Sequence, residues 1–414
     1  MILATFLKTK PLYYKEIDHK RIHIAYDRLK PYIKRPKTVH IVGTNGKGST
    51  GRMLAHLAFS VQCSAFSVGH YSSPHILKFN ERIWMNGKDV PDEVLEEAHQ
   101  KLFSILGKEI SDSLSYFEYT TLLAFVVFEN CDLMVLEAGL GGEYDATNVC
   151  NKELSVITPI GIDHQAFLGD SIEEIATTKI QSIQKKVLLA PQVYDKVVET
   201  AEKLVKEKGA ALFFTRRSGC PHPDSHLHKV KIKNVEIYTN VGEGTPRPTV
   251  ETLIKEKNWG DYLIDNAYTA LNALCLLEIP YDINDLKTLE LFGRFYALTE
   301  NIRIDVGHNP LAAKAIVKAL DEKVVLIYNS LDDKDYEEVL RILKPKVKRV
   351  EIMTIHTQRA ATLREIEKAL NKAGLEYSYF DHKIDKNEQY LVFGSFYVVE
   401  AFLKTPSVRN LTLV

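Results

Sequence analysis

The stretch VHIVGTNGKGSTGRMLA, residues 39–55, concentrates the residue types that handle phosphate. An apolar, β-branched run passes through Gly43-Thr44-Asn45-Gly46-Lys47-Gly48-Ser49 into a segment where Met53, Leu54, Leu57, Ala58 and Val61 recur at helical spacing. Strand, glycine turn and helix in that order predict a phosphate-binding loop. Glycines let backbone N–H groups approach phosphate oxygens, and the helix N-terminus adds its dipole. Lys47 supplies a point charge for the outer phosphates and Ser49 a hydroxyl for Mg2+. In the common signature four residues precede the Gly-Lys pair and Ser or Thr follows it directly. Here only Thr44 and Asn45 separate Gly43 from Gly46-Lys47, and Gly48 precedes Ser49, so the loop is a variant of that design.

A Mg2+–ATP site needs ligands from elsewhere in the chain. Glu137 closes the apolar run DLMVLE, and His164 follows the run LSVITPIGID. Strand ends of this kind are where ligands gather in open α/β sheets. Alone, each is an ordinary structural residue; together with Lys47 they read as a metal site.

The elements that must position these residues alternate between strand and helix patterns. YFEYTTLLAFVVF (116–128) reads as a buried helix, and residues 132–142 and 154–164 read as buried strands running into loops. Beyond residue 293, strand candidates IRIDV, KVVLIYN, VKRVEIMTI, EYSYF and YLVFGS alternate with helix candidates at 311–320 and 363–373. The fold class expected is α/β: a P-loop-containing, mostly parallel sheet domain over residues 1–286, a linker at 287–292, and a smaller Rossmann-like α/β domain over 293–414. A Pro-, Gly-, His- and Lys-rich stretch between about 216 and 249 reads as a surface hairpin or excursion.

The chain's 414 residues suit two domains, and its 45% hydrophobic and 26% charged residues are ordinary for a globular protein. Fifty-three Lys and Arg against 54 Asp and Glu give a net charge of -1, so no basic field recruits nucleic acid or an anionic membrane. No apolar run spans a bilayer, and the N-terminus lacks a signal-peptide pattern. Cys63, Cys131, Cys150, Cys220 and Cys275 are scattered without a CxxC pair, which suits reduced thiols. A cytoplasmic monomer is expected.

Five stretches in register, GTNGKGS, SSPHILKFNERI, LEAGLGGEYDATNV, ITPIGIDHQAFLG and DVGHNPLAA, resemble the folylpolyglutamate synthase and dihydrofolate synthase group of the Mur-ligase-like ATP-dependent amide ligases. The resemblance implies ATP on Gly43, Thr44, Asn45, Gly46, Lys47, Gly48 and Ser49, with nucleotide contacts from Asn266, Arg294 and Asp305. It implies Ser49, Ser73, Glu137 and His164 around two Mg2+ ions, with Ser73 on a closing loop. Lys179 matches a lysine commonly carbamylated in the family, which would turn an ammonium into a carboxylate-like group. Lys47, Lys179 and His308 take the catalytic roles; His308, Ser395 and Tyr397 match positions near the incoming glutamate. Phe117 and Asp145 match positions that hold the pterin ring in bifunctional members. Glu143 stands where arginine is commoner, and Gly307 where alanine is commoner.

The reaction implied joins L-glutamate to dihydropteroate and to the glutamate tail of reduced folates. A carboxylate becomes an electrophile once ATP converts it to an acyl phosphate, which the amine then attacks. Acyl phosphates hydrolyse in water, so enclosure by two closing domains is expected. Alternatives are a folylpolyglutamate synthase alone, a muramyl-peptide ligase and a nucleotide-gated ATPase. The muramyl enzymes generally carry a further domain before the loop, whereas 42 residues precede Gly43. Cys220, His222, His226 and His228 match no zinc spacing and read as a solvated loop, as Lys229, Lys231 and Lys233 read as an edge-strand face.

Overall fold

The structure, a computed structural model, describes residues 2–11, 18, 20–61, 66–217 and 249–409. The excursion's Cys220, His222, His226, His228, Lys229, Lys231 and Lys233 lie outside the described residues, as does Cys63. The chain divides into two compact units. Unit 1 comprises Met1–Gly161, Asp170–Arg247 and Asp265–Leu286; unit 2 comprises Ile162–Gly169, Pro248–Ile264 and Lys287–Val414. Two segments that precede residue 287 therefore belong with the later part of the chain, which a single break at 287–292 does not capture.

Unit 1 is built on β1 (Lys37–Val42), β2 (Val68–Tyr71), β3 (Ile83–Met85), β4 (Lys88–Asp89), β5 (Leu133–Glu137), β6 (Leu154–Ile157), β7 (Lys186–Leu189) and β8 (Ala211–Phe214). They form one sheet in the order β4-β3-β2-β5-β1-β6-β7-β8. The six strands from β2 to β8 pair in parallel, and β3 and β4 add an antiparallel edge. β1, β2, β5 and β6 are buried along almost their whole length, as expected of strands covered on both faces. β1 sits between β5 and β6, so the loops after those three strands emerge side by side where the strand order reverses, the place such sheets reserve for ligands.

The apolar run after residue 115 forms the helix Tyr116–Val127. Ser115 starts it: its Oγ accepts from Glu118 N at 3.2 Å while the Glu118 carboxylate accepts from Ser115 N at 2.7 Å, a capping box. Glu118 also pairs with Arg21 at 2.9 Å. The helix is apolar all round because Tyr119, Leu122, Leu123 and Phe125 bury into the same cluster as Phe6, Leu102 and Leu136.

Unit 2 carries β9 (Tyr296–Thr299), β10 (Ile302–Ile304), β11 (Val324–Tyr328), β12 (Val347–Ile352), β13 (Tyr377–Tyr379) and β14 (Tyr390–Phe393), in the order β13-β12-β11-β14-β10-β9. All pairs are parallel except β9 with β10. The five strand candidates after residue 293 thus all pair, with the helices Pro310–Ala319 and Leu363–Ala373 close to their expected positions. The α/β expectation holds for both units. Cys131 and Cys150 are free and buried, whereas Cys275 is disulfide-bonded, a departure from reduced thiols throughout. No helix among the described residues is long and apolar enough to cross a membrane.

Leu326 and Leu391 lie opposite each other on β11 and β14 and are fully buried. Leu326→Ala should lower the unfolding free energy by about 2–5 kcal/mol, since transfer and cavity terms add; urea denaturation followed by circular dichroism checks this.

Candidate functional site

The loop after β1 is held by close approach. Gly43 has φ +154°, and a Cβ there would lie 2.0 Å from Thr158 Oγ1, just past the end of β6. Thr44 N and Asn45 N both donate to Pro159 O, at 2.9 and 3.1 Å, and Thr44 Oγ1 donates to Gly161 O at 3.0 Å. The loop is therefore pinned to the neighbouring strand's exit, and Gly46, at φ +83°, turns it into the helix Lys47–Val61.

Around this turn several expected residues meet within unit 1. Lys47 Nζ donates to Gly43 O at 3.2 Å and Thr44 O at 3.3 Å, and stands 4.0 Å from Glu137 Oε1. Ile41 and Glu137 are register partners on β1 and β5, which sets that carboxylate beside the loop. Glu137 Oε2 accepts from Ser73 N at 3.2 Å, so Ser73, joined to Pro74 by a cis peptide, lies at the same corner. Ser49 Oγ donates to Gly46 O at 3.2 Å and accepts from Asn266 Nδ2 at 2.9 Å. The buried Lys179 donates to Gly43 O at 3.0 Å. Glu137, Ser49 and Ser73 are oxygen donors of the kind that suit a hard divalent cation, with Lys47 available for phosphate.

The loop after β5 carries Asp145 and lies against Phe117 of the helix Tyr116–Val127, the two expected pterin residues. A Cβ on Gly139 would lie 2.6 Å from Phe117 Cζ, so the loop backbone lies on that ring, and Tyr71 packs against it at a centroid distance of 5.8 Å. Asp145 is buried. Its Oδ1 accepts from Thr147 N at 2.9 Å and Thr147 Oγ1 at 2.5 Å, and its Oδ2 from Leu140 N at 2.8 Å. Burial pushes the Asp145 carboxyl up from its ordinary range, against those hydrogen bonds. Its acceptor positions are taken by the chain itself, so its visible work is to shape the loop that lies on Phe117.

His164 belongs to unit 2, and its surroundings there are an ion cluster that sequence reasoning missed. Asp163 pairs with Lys334 at 2.7 Å, with His308 Nε2 at 3.5 Å and with His164 Nε2 at 3.9 Å. Lys334 also reaches Asp333 at 3.3 Å, and Asp333 pairs with Arg359 at 2.8 Å. Burial would raise the Asp163 carboxyl, but the hydrogen bond and charge of His308, with His164 and Lys334, hold it well below the carboxylate range. Asp163 directly precedes His164 in the sequence, whereas nothing in LDDKDY marks Lys334.

The remaining expected residues in unit 2 are mostly engaged structurally. Asp305 is buried and accepts from Gly307 N at 2.7 Å, Phe295 N at 2.8 Å and Tyr262 OH at 3.1 Å. Asn309 caps the helix Pro310–Ala319, its side chain accepting from Ala312 N at 2.9 Å. Arg294 stacks over Phe396 at 5.4 Å. Ser395 Oγ accepts from Val398 N at 3.2 Å and caps the helix Phe396–Leu403, in which Tyr397 is half-buried. Among the described residues no group of three His, Cys, Asp or Glu side chains could hold a metal by itself.

Residues 293–391 match the family model for the Mur ligase glutamate ligase domain. Over 94% of this chain and 95% of its own length, a Haemophilus influenzae protein named dihydrofolate synthase/folylpolyglutamate synthase is 30% identical. The crystal structure of Helicobacter pylori folylpolyglutamate synthetase is 40% identical, covers 97% of each chain and superposes with a TM-score of 0.73. An Escherichia coli FolC structure in complex with DHPP and ADP is 27% identical over 99% of each chain, with a TM-score of 0.77.

Because Asp163 is ionised far below the ordinary carboxylate range, its contribution to stability is complete above that range and is lost only as pH falls through the depressed value. Lys334→Met removes a partner whose side chain is 3% exposed and should cost about 3 kcal/mol. The acid-unfolding midpoint should move to higher pH, as fluorescence titration of both proteins would show.

Proposed function

We propose a function on the premise that this chain belongs to the dihydrofolate synthase/folylpolyglutamate synthase family: it is an ATP-dependent ligase that joins L-glutamate to dihydropteroate and to the glutamate tail of reduced folates through an acyl phosphate. The observation that carries this reading is the corner where Lys47, Glu137, Ser73 and Lys179 converge on the glycine loop, with Phe117 under the next loop.

In this reading Gly43–Ser49 takes the β and γ phosphates on its backbone N–H groups, and Lys47 leaves Gly43 O and Glu137 to neutralise them. Ser49 would sit beside the first Mg2+, and Ser73, Glu137 and His164 are the donors that would serve the metal ions; bound Mg2+ would offset charge on the transferring phosphoryl group. Asn266 orients Ser49, and Arg294 and Asp305 serve the nucleotide. The substrate carboxylate attacks the γ-phosphorus, ADP leaves, the glutamate amine attacks the acyl carbon, and phosphate departs. Lys179, carbamylated, would replace a buried positive charge with a negative one beside Gly43.

The pterin is assigned to Phe117, and Asp145 holds the loop that lies on that ring. His308, Ser395 and Tyr397 serve glutamate; Ser395 caps a helix N-terminus, which favours a carboxylate. A narrower reading, folylpolyglutamate synthase alone, is favoured by the filled acceptor positions of Asp145.

Purified protein with Mg2+–ATP and L-glutamate should release phosphate with 7,8-dihydropteroate and with tetrahydrofolate, and mass spectrometry should find one added glutamate in each. Product from tetrahydrofolate alone selects the narrower reading; release indifferent to glutamate overturns the ligase. Lys47→Ala should lower kcat at least about 100-fold, since the loop then lacks its phosphate charge.

A further inference from the structure

Lys152, in the loop before β6, is 4% exposed, and its ammonium has three partners. Nζ donates to Ser182 O at 2.9 Å, to Asn148 Oδ1, and to His40 Nδ1 at 3.3 Å. On its other side His40 Nε2 lies 2.8 Å from Thr147 Oγ1, whose hydroxyl is 2.5 Å from Asp145 Oδ1. His40 and Thr147 have no exposed surface.

The direction of this chain follows from its ends. An ionised Asp145 only accepts, so the Thr147 hydroxyl donates to it. Thr147 Oγ1 must then accept from His40 Nε2–H, which leaves Nδ1 bare to accept from Lys152. Every link has one polarity, running from a buried cation to a buried anion. Such a network is stable when every member is satisfied and costly when one is removed.

The anion end matters because Asp145 holds the N–H of Leu140, the other end of the peptide bond from Gly139, and Gly139 lies on the Phe117 ring. We propose that Lys152 is a positioning residue for the pterin side of the site: acting through His40 and Thr147, it supplies the counter-charge that lets Asp145 hold the Gly139–Leu140 backbone against Phe117. The inference rests on the reading that the pterin lies on Phe117.

Burial lowers the Lys152 ammonium to about 8, so it is charged at neutral pH and loses its proton just above. The other groups that act on it are few. Burial raises the Cys150 thiol to about 11, which keeps it neutral, and the Lys208 ammonium is occupied by Gln181 O. Burial holds His40 well below its ordinary value, so it stays neutral and keeps one tautomer.

The test uses the full-length protein. Nitrogen-15 NMR, with the His40 signal identified by its loss in His40→Gln, should show the Nε2–H tautomer; a proton on Nδ1 overturns the relay. Lys152→Met should raise the Kd for 7,8-dihydropteroate about tenfold while the Kd for an ATP analogue stays within about twofold. In the parent that pterin Kd should rise between about pH 7 and 9, following loss of the ammonium, and in Lys152→Met it should be flat. Thr147→Val cuts the chain downstream and should also be flat, with Thr147→Ser restoring the parent's behaviour; this pair serves if Lys152→Met does not fold. An unchanged pterin Kd, equal weakening of both ligands, or a pH dependence that survives Thr147→Val overturns the proposal. Phe117→Ala separates the premise: unchanged pterin binding there defeats the placement of the pterin, whereas weaker binding with Lys152→Met unaffected defeats the relay alone.

Discussion

Two ammonium groups share one carbonyl oxygen. Lys47 Nζ and Lys179 Nζ both donate to Gly43 O, at 3.2 and 3.0 Å, and Glu137 is the carboxylate paired with Lys47 at 4.0 Å. Two positive groups at one buried dipole repel, and the repulsion falls when negative charge arrives. The loop is thus organised around a charge that phosphate, or a modified Lys179, would neutralise. The glycine at 43 makes the convergence possible, because a side chain there would strike Thr158 and lift the carbonyl out of reach of both lysines.

The same corner depends on parallel pairing. Because β1 lies between β5 and β6, the Gly43 turn, Glu137 and the Thr158–Gly161 exit come from three strands whose register is fixed by buried apolar side chains. A slip of one residue in β5 would turn Glu137 to the opposite face of the sheet. Phe117 stands in the first turn of a helix that the capping box at Ser115 and Glu118 starts at a defined residue.

Much of this was legible in the sequence. The glycine turn, the apolar runs of β5 and β6 and the uniformly apolar helix after Ser115 carry local signals strong enough to place them, and the parallel α/β class follows from their alternation. The polar networks were not legible. Lys152 in CNKEL and Lys334 in LDDKDY look like any solvated loop lysine, and burial emerges only when distant segments fold over them. Asp145 is visible in the sequence as a candidate, but not that Thr147 and the Leu140 N–H occupy it. Ser395 and Asn309 carry no signal that separates a helix cap from a ligand group until the helices behind them exist.

The division of the chain into interleaved segments bears on how the molecule can be dissected. Unit 2 draws Ile162–Gly169 and Pro248–Ile264 from within the stretch that builds unit 1. A fragment beginning at Lys287 would keep Lys334 and His308 without Asp163, and Asp305 without Tyr262. The later part of the chain is therefore no portable module, and a graft onto another protein would have to bring the loop and helix segments that complete its polar interior.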